Sequence, residues 1–339
     1  MSGRIYLDWN ATAPLRSEAR AAMIAAMDVM GNPSSVHAEG RAAKMLVERA
    51  REDLAEVLGC RPAEVVLTSG ATEAAGVLAG FAAVAVEPTA HDCLLAHAKA
   101  GAPEVLAMGL ANSETGVISD VPETRPGRLL LDVVQAVGRL PFAFGWSGAD
   151  FAILSAHKLG GPKGVGALIV KDGLEIASLR PGGGQEKNRR SGTENVVGLA
   201  GFAAAAKAAG RDLDNGVWAR VRRMRDLLEA RLLDGADGVV IAGAGVERLA
   251  NTSCIVSPGW KGETQVMQMD LAGFAISAGS ACSSGKVRAS RVLAAMGFDP
   301  APAASAIRVS LGPVTTEDEV MRFADAWLAQ HQKFRARAA

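Results

Sequence analysis

Residues 151–170 read FAILSAHKLGGPKGVGALIV, and their interpretation decides what kind of fold the chain builds. Residues 151–154 form an apolar run of strand length that ends in Ser155, His157 and Lys158, before a turn crowded with Gly160, Gly161, Pro162 and Gly164. Residues 164–170 are apolar again and read as a partner strand. A lysine at the end of a buried strand calls for a reason, because burial disfavours its charged form. A neutral amine is a nucleophile that condenses with an aldehyde as a Schiff base. A lysine so placed can equally run its stem along the protein to reach solvent, so the surrounding stretches must decide.

Upstream, a strand at residues 64–67 runs into Ser69, Gly70, Ala71, Thr72 and Glu73, followed by an Ala-rich segment that reads as a buried helix. A strand, a small-residue turn and a helix start leave free N–H groups that can cup an anion. The same pattern is also an ordinary strand-to-helix turn. Two more apolar strands, residues 104–110 and 129–131, end in Asn112, Ser113, Glu114 and Thr115, and in Asp132 and Gln135. Polar clusters beyond strand carboxyl ends are where open α/β sheets place their ligands. The alternation of strand and helix predicts a largely parallel sheet.

Around this centre, Ser17 is placed to cap a helix reaching about Met30, and residues 37–58 carry apolar positions at helical spacing up to Gly59. The Gly-rich loop PGGGQEKNRRSGTENV, with Arg189, Arg190 and Thr193, reads as a phosphate or subunit contact. Two long helices follow, over residues 195–207 and 217–233. Near residues 234–238 the composition shifts and shorter strands begin, at residues 239–242 and 251–256. The expected organisation is a large domain over residues 15–234 and a small α+β domain over residues 1–14 and 235–339. The small domain carries Cys282 among Gly279, Ser280, Ser283, Ser284 and Gly285, a run expected to be exposed, unlike the apolar setting of a structural cysteine. Residues 307–310 read as a strand bearing Arg308. Thr316 with Glu319 predicts a capping box for a last helix that packs Val320, Phe323, Ala324, Trp327 and Leu328 inward.

A length of 339 residues fits about two domains of ~150 residues. Lys+Arg and Asp+Glu both number 36, so no net field recommends nucleic acid or an acidic membrane as a partner, and small molecules become the default ligands. The start of the chain has no apolar core of signal-peptide length, and the Ala-rich run at residues 198–206 is too short to span a bilayer. A cytoplasmic location is expected. Cys60, Cys93, Cys254 and Cys282 show neither CxxC spacing nor a secretory context, so no disulfide framework and no metal site are expected.

A lysine for an aldehyde, a phosphate cup and a carboxylate one strand away are the protein partners of pyridoxal phosphate. At this point the sequence resembles the cysteine desulfurases, enzymes of the class V aminotransferase fold. The motifs that carry the resemblance are YLDWNATAPL, GNPSSVHAEGR, VVLTSGATEA, ANSETGV, LLLDVVQAVG, SAHKLGGPKGVGAL, GGGQEKNRRSGTEN, SAGSACSSGKV and AIRVSLG, in that order over nearly the whole chain.

The resemblance implies an α/β PLP-dependent transferase (aspartate-aminotransferase-like) fold, with a large mainly parallel-sheet domain plus a smaller α+β domain. It implies pyridoxal 5'-phosphate as cofactor and L-cysteine as substrate, with alanine as product and the sulfur left as a persulfide on Cys282 for iron–sulfur cluster or other sulfur-cofactor assembly. Lys158 would be the covalent anchor and later the proton carrier, Asp132 the partner of the pyridine nitrogen, and Gln135 the partner of the phenolic oxygen. Ala71, Thr72, Ser155 and His157 would hold the phosphate, with Thr193 supplied by a second subunit of a homodimer. His91 would stack on the ring and move protons; without the resemblance it reads as a surface-loop histidine. Arg308 would clamp the substrate carboxylate, its alternative being a structural ion pair, and Asn112 and Ser113 would contact the substrate. The sulfur would pass to a scaffold or carrier protein. Other enzymes of the fold, a selenocysteine lyase or an aminotransferase, and a non-catalytic assembly partner are the alternatives.

Two departures stand out. Ser113 replaces the second of two adjacent asparagines usual in the family. Residues 91–112 are a few dozen residues shorter than in the family, and the stretch up to Asp132 is trimmed as well, which predicts the loss of a strand and helix from the large domain.

Overall fold

Strands buried on both faces carry near-continuous apolar side chains instead of an alternating pattern, and the large sheet is built of such strands. In chain order they are β1 (Val65–Thr68), β2 (Val84–Val86), β3 (Val105–Gly109), β4 (Arg128–Asp132), β5 (Phe151–Ser155) and β6 (Gly166–Val170). Every residue of β1, β5 and β6 is buried. In the computed structural model, which describes residues 3–279 and 289–338, the spatial order is β1-β6-β5-β4-β3-β2. Strands β2 to β5 pair in parallel, and β6 runs antiparallel to both β5 and β1. The expected mainly parallel sheet is therefore present, and β1 to β5 all point their carboxyl ends to one edge.

This sheet belongs to a unit made of Thr12–Leu110 and Asp120–Asn215. Its apolar core gathers Leu78, Leu94, Leu130, Phe151, Ile153 and Leu168, the sheet residues among them sharing one face. Helices Ser17–Met27 and Ala38–Leu58 pack on helix Val196–Asp214. The second of them starts at His37, whose side chain accepts from the Gly40 amide at 3.3 Å. It ends at Gly59, which is left-handed at φ 60°. A Cβ at Gly59 would also stand 2.7 Å from the Ala143 methyl, so conformation and space both demand glycine.

Ser17 does not cap the first helix. It is the first helical residue, its hydroxyl bonded to Glu18 at 3.0 Å, and Arg16 holds the cap position. Arg16 is tied there by bonds to the Leu159 carbonyl at 2.8 Å and to Asp212 at 2.6 Å, so tertiary contacts outrank the local capping preference.

The shortened stretch shows in the connections. Between β2 and β3 the helical content is the four residues Asp92–Leu95, and between β3 and β4 there is no helix. A parallel crossover normally carries a full helix; these connections do without one.

The other unit comprises Met1–Ala11, Ala111–Ser119 and Gly216–Ala339. Its sheet contains β7 (Val240–Ile241), β8 (Thr252–Val256), β9 (Ser277–Ala278) and β10 (Ala306–Ser310), all antiparallel in the order β9-β10-β8-β7. Ile5–Tyr6 pairs in parallel with Phe274–Ala275. The division differs from the boundaries expected from composition at residues 12–14, 111–119 and 216–234. Residues 111–119 join this unit because Val117 bridges to Arg248 and Gly116 packs on Thr252. Helix Val217–Gly235 joins it too, since Glu229 bonds Arg248 at 2.8 Å and Ser253 at 2.6 Å, and Arg231 meets Asp325 at 3.0 Å.

The last helix, Glu317–Ala338, opens with the predicted box: Thr316 N–H donates to the Glu319 carboxylate at 2.9 Å and Glu319 N–H to the Thr316 hydroxyl at 3.3 Å. Its Val320, Phe323, Ala324, Trp327 and Leu328 are buried. No helix among the described residues is long and apolar enough to cross a membrane.

Candidate active site

The carboxyl edge of the large sheet collects most of the residues singled out in the sequence. Asp132 ends β4, Ser155 ends β5, and the turn Ala156–Lys158 follows at once. Parallel pairing sets Asp132 opposite Ile153, one strand from the lysine. Ala71 and Thr72 follow β1, and His91 follows β2 at the start of Asp92–Leu95. Because these strands share a direction, residues scattered over 88 positions, from Ala71 to Lys158, come to one edge.

The charges there are coupled. Burial pushes the Asp132 carboxyl up, while its bond from the Val134 amide at 2.9 Å and the charges of His91 and Lys158 pull it back. Aspartate, histidine and lysine thus lie within one another's field, a feature typical of functional sites. His91 is exposed, and its Nδ1 accepts from the Cys93 amide at 3.1 Å. In the neutral form of the ring that bond leaves the proton on Nε2, the outer nitrogen.

The cup after β1 is a close approach of two main chains. A Cβ on Gly166 would lie 2.6 Å from Gly70 Cα and 2.5 Å from the Leu154 carbonyl, so β6 can carry only glycine there. Ser155 Oγ accepts from the Ala71 amide at 2.9 Å, and Thr72 is exposed at the rim. Beneath it Glu73 takes the Ser69 amide at 2.6 Å and Arg190 at 3.1 Å. Burial pushes that carboxyl up, but these partners hold it below the usual range. The loop containing Thr193 is thereby tied to the cup through Arg190, with Thr193 itself exposed.

His157 bonds Thr12 Oγ1 through Nδ1 at 3.2 Å. Burial first, then the charges of Lys158 and Lys163, push its pKa down to about 4. The imidazole is neutral at neutral pH. An unfolded histidine takes up a proton near pH 6.5 whereas this one waits until about 4, so between those values the unfolded state binds more protons. In cofactor-free protein, stability is expected to hold above about 6.5 and to fall as pH drops towards about 4. Urea titrations across that window should show a shallower fall for His157→Asn; an equal fall counts against the assignment.

Sequence reasoning missed Arg139. It lies buried behind the site, donating to the Gln135 side-chain oxygen and to the Lys158 carbonyl at 3.3 Å. The signal was available, for an arginine four residues after Gln135 inside the apolar run AVGRLPF is itself an anomaly.

In the other unit, Arg308 stands in the middle of β10 and is 4 % exposed. It donates to Asp8 Oδ1 at 2.7 Å and to the Ser113 carbonyl at 3.1 Å, and its buried Nε has no partner among the described residues. The ion pair weighed as an alternative therefore exists, and it leaves one buried donor without a partner among the described residues. Asn112 takes the Glu114 and Thr115 amides on its side-chain oxygen at 2.9 and 3.0 Å, forming the turn. Ser113 contributes its main-chain carbonyl, which also accepts from Asn10 at 3.1 Å. Cys282 lies outside the described residues. Burial pushes the thiols of Cys60 and Cys254 up to about 12, which makes them poor nucleophiles, and Cys93 packs on the apolar core. Among the described residues no group of three or more His, Cys, Asp or Glu could hold a metal ion.

The chain is similar to known proteins over most of its length. The aminotransferase class-V family matches residues 5–97 and 92–323. A cysteine desulfurase of Frankia sp. is 39% identical over 379 residues, covering 95% of this chain and 90% of that protein. An IscS-like cysteine desulfurase of Mycobacterium tuberculosis is 35% identical, with 93% of each chain covered. The solved structure of a NifS-like protein from Rickettsia africae superposes with a TM-score of 0.88 at 29% identity, covering 97% of this chain and 99% of that one.

Proposed function

Because the chain belongs to the cysteine desulfurases of the aminotransferase class-V family, we propose that it converts L-cysteine to L-alanine and retains the sulfur for iron–sulfur cluster or related cofactor assembly. The observation that carries this reading is the placement of Lys158 after β5 with Asp132 at the end of the adjacent parallel strand β4. Pyridoxal 5'-phosphate fits the residues present: an amine, a carboxylate one strand away, a buried amide at Gln135, and a cup that only glycine at position 166 allows. When bound, that cofactor supplies an electron sink for the substrate carbons.

Lys158 would anchor it and carry the α-proton, Asp132 would keep the pyridine nitrogen protonated, and Gln135 would donate to the phenolic oxygen. Ala71, Thr72, Ser155 and the neutral His157 would take the phosphate. His91 would stack on the ring and, through Nε2, deliver or accept protons at the substrate. Arg308 would offer its Nε–H, unpartnered among the described residues, to the substrate carboxylate while Asp8 fixes the guanidinium plane. Asn112 and Ser113 form a turn whose Ser113 carbonyl accepts from Arg308, and both would meet the substrate there.

In the sulfur step the Cys282 thiolate attacks the sulfur of cysteine. A sulfur–sulfur bond forms, the carbon–sulfur bond breaks, and its electron pair stays with the carbon, which takes a proton and leaves as alanine. We read the working unit as a cytoplasmic homodimer, Thr193 serving the second copy's phosphate, with the persulfide passed on to a scaffold or carrier protein. Cys282→Ser is expected to retain the cofactor's colour and release no sulfide from cysteine. Sulfide and alanine are both assayed over many turnovers. A variant that keeps the full rate eliminates the persulfide step, and a keto acid appearing in place of alanine assigns an aminotransferase activity to the fold.

A further inference from the structure

Arginine has only donors. Whatever faces its guanidinium in a hydrogen bond must therefore be an acceptor, and this rule fixes the orientation of a side-chain amide whose two ends are otherwise alike. Gln135 is buried at 4 % exposure, just beyond the end of β4, and its side-chain oxygen faces Arg139 Nη1. The same nitrogen lies 3.5 Å from the Gln135 main-chain carbonyl, and Nη2 donates to the Lys158 carbonyl at 3.3 Å. Arg139 is itself buried at 7 % exposure. One guanidinium thus links the residue after β4 that carries the amide to the turn after β5 that carries the amine.

We propose that Arg139 is a positioning residue: by taking the oxygen of Gln135 it turns the amide so that its NH2 group is the end presented to the cofactor, and it fixes the backbone of Lys158 in the same act. The proposal rests on the reading of Gln135 as the donor to the phenolic oxygen of pyridoxal phosphate. A glutamine amide left to itself can flip and offer an acceptor to that oxygen, exchanging attraction for repulsion. The glycine at 138 brings the arginine into place, since its left-handed φ of 74° lets the chain turn between the two residues and a Cβ there would lie 2.6 Å from Ala209.

The test is a visible-absorption titration of holoprotein against pH, without substrate. A donor on the phenolic oxygen favours the anionic oxygen and lowers the midpoint of the colour change. Arg139→Met is expected to raise that midpoint by about 0.5–1 pH unit, the loss of one ordinary hydrogen bond. Arg139→Lys, which keeps a charged donor without the fork, is expected to shift it less in the same direction. In a Gln135→Leu background, where no amide remains to be turned, adding Arg139→Met is expected to move the midpoint no further.

An Arg139→Met midpoint that coincides with wild type overturns the proposal while leaving the cofactor reading intact. So does an undiminished shift in the Gln135→Leu background, which would assign Arg139 a separate structural effect. Wild-type protein that takes up no pyridoxal phosphate overturns the cofactor reading and this role with it. Should Arg139→Met fail to fold, Arg139→Lys carries the test, and an unchanged midpoint there is the overturning result.

Discussion

Lys158→Ala is expected to lose desulfuration by more than about 10³-fold and to hold no covalent cofactor. Borohydride treatment followed by mass measurement reads the second effect directly: wild-type protein gains a pyridoxyl group, the variant gains none. The size of the loss follows from two tasks assigned to one amine, the covalent anchor and the α-proton carrier, and neither an imidazole at His91 nor a carboxylate at Asp132 can form the anchor. His91 is exposed with Nδ1 committed to the Cys93 amide, and Asp132 accepts from the Val134 amide. Both remain beside the pocket in the variant, so an activity within tenfold of wild type would remove Lys158 from the mechanism.

Arg51→Met is expected to destabilise the large-sheet unit by about 3–5 kcal/mol, the usual effect of stranding one half of a buried ion pair. Arg51 holds Glu186 in a two-bonded fork, at 2.8 and 2.7 Å, with the carboxylate side chain only 2 % exposed. Burial works against the Arg51 charge, yet the bonds to Glu186 and Glu48 more than offset it and raise its pKa. Glu186 also accepts from the Leu67 amide at 2.9 Å, on the open side of edge strand β1.

Glu186, Lys187 and Asn188 are all left-handed, at φ 49°, 55° and 65°, which costs roughly 1–2 kcal/mol per residue. That turn persists because the carboxylate is held from two directions. Combining Arg51→Met with Glu186→Gln is expected to recover part of the loss, since the amide keeps an acceptor for Leu67 and strands no charge. Denaturant midpoints measure both effects, and a single-variant loss below about 1 kcal/mol would mean that the fork is not what holds the turn.

Much of the site was legible because strand ends announce themselves locally. The apolar runs before Asp132 and before Ser155, His157 and Lys158 are readable as buried strands, and polar residues at their carboxyl ends follow from the way parallel sheets expose those ends. The trimmed connections were legible as missing length. What could not be read were partnerships across the chain. Whether Arg308 is free or paired depends on Asp8, 300 residues away. The assignment of residues 111–119 to one unit depends on Arg248 and Thr252, which no local pattern names. Ser17 looked like a cap, and Arg16 displaced it through contacts with Leu159 and Asp212.

By itself, the order of residues determined the strands, their polar ends and therefore the edge at which chemistry gathers, because backbone preference and apolar periodicity act over a few neighbours. Only the tertiary structure decided how the polar groups are spent: Asn112 on its own turn, Glu186 on Arg51 and Leu67, Gln135 on Arg139. A buried polar atom must find a partner wherever one can reach it, and reach is a property of the folded chain.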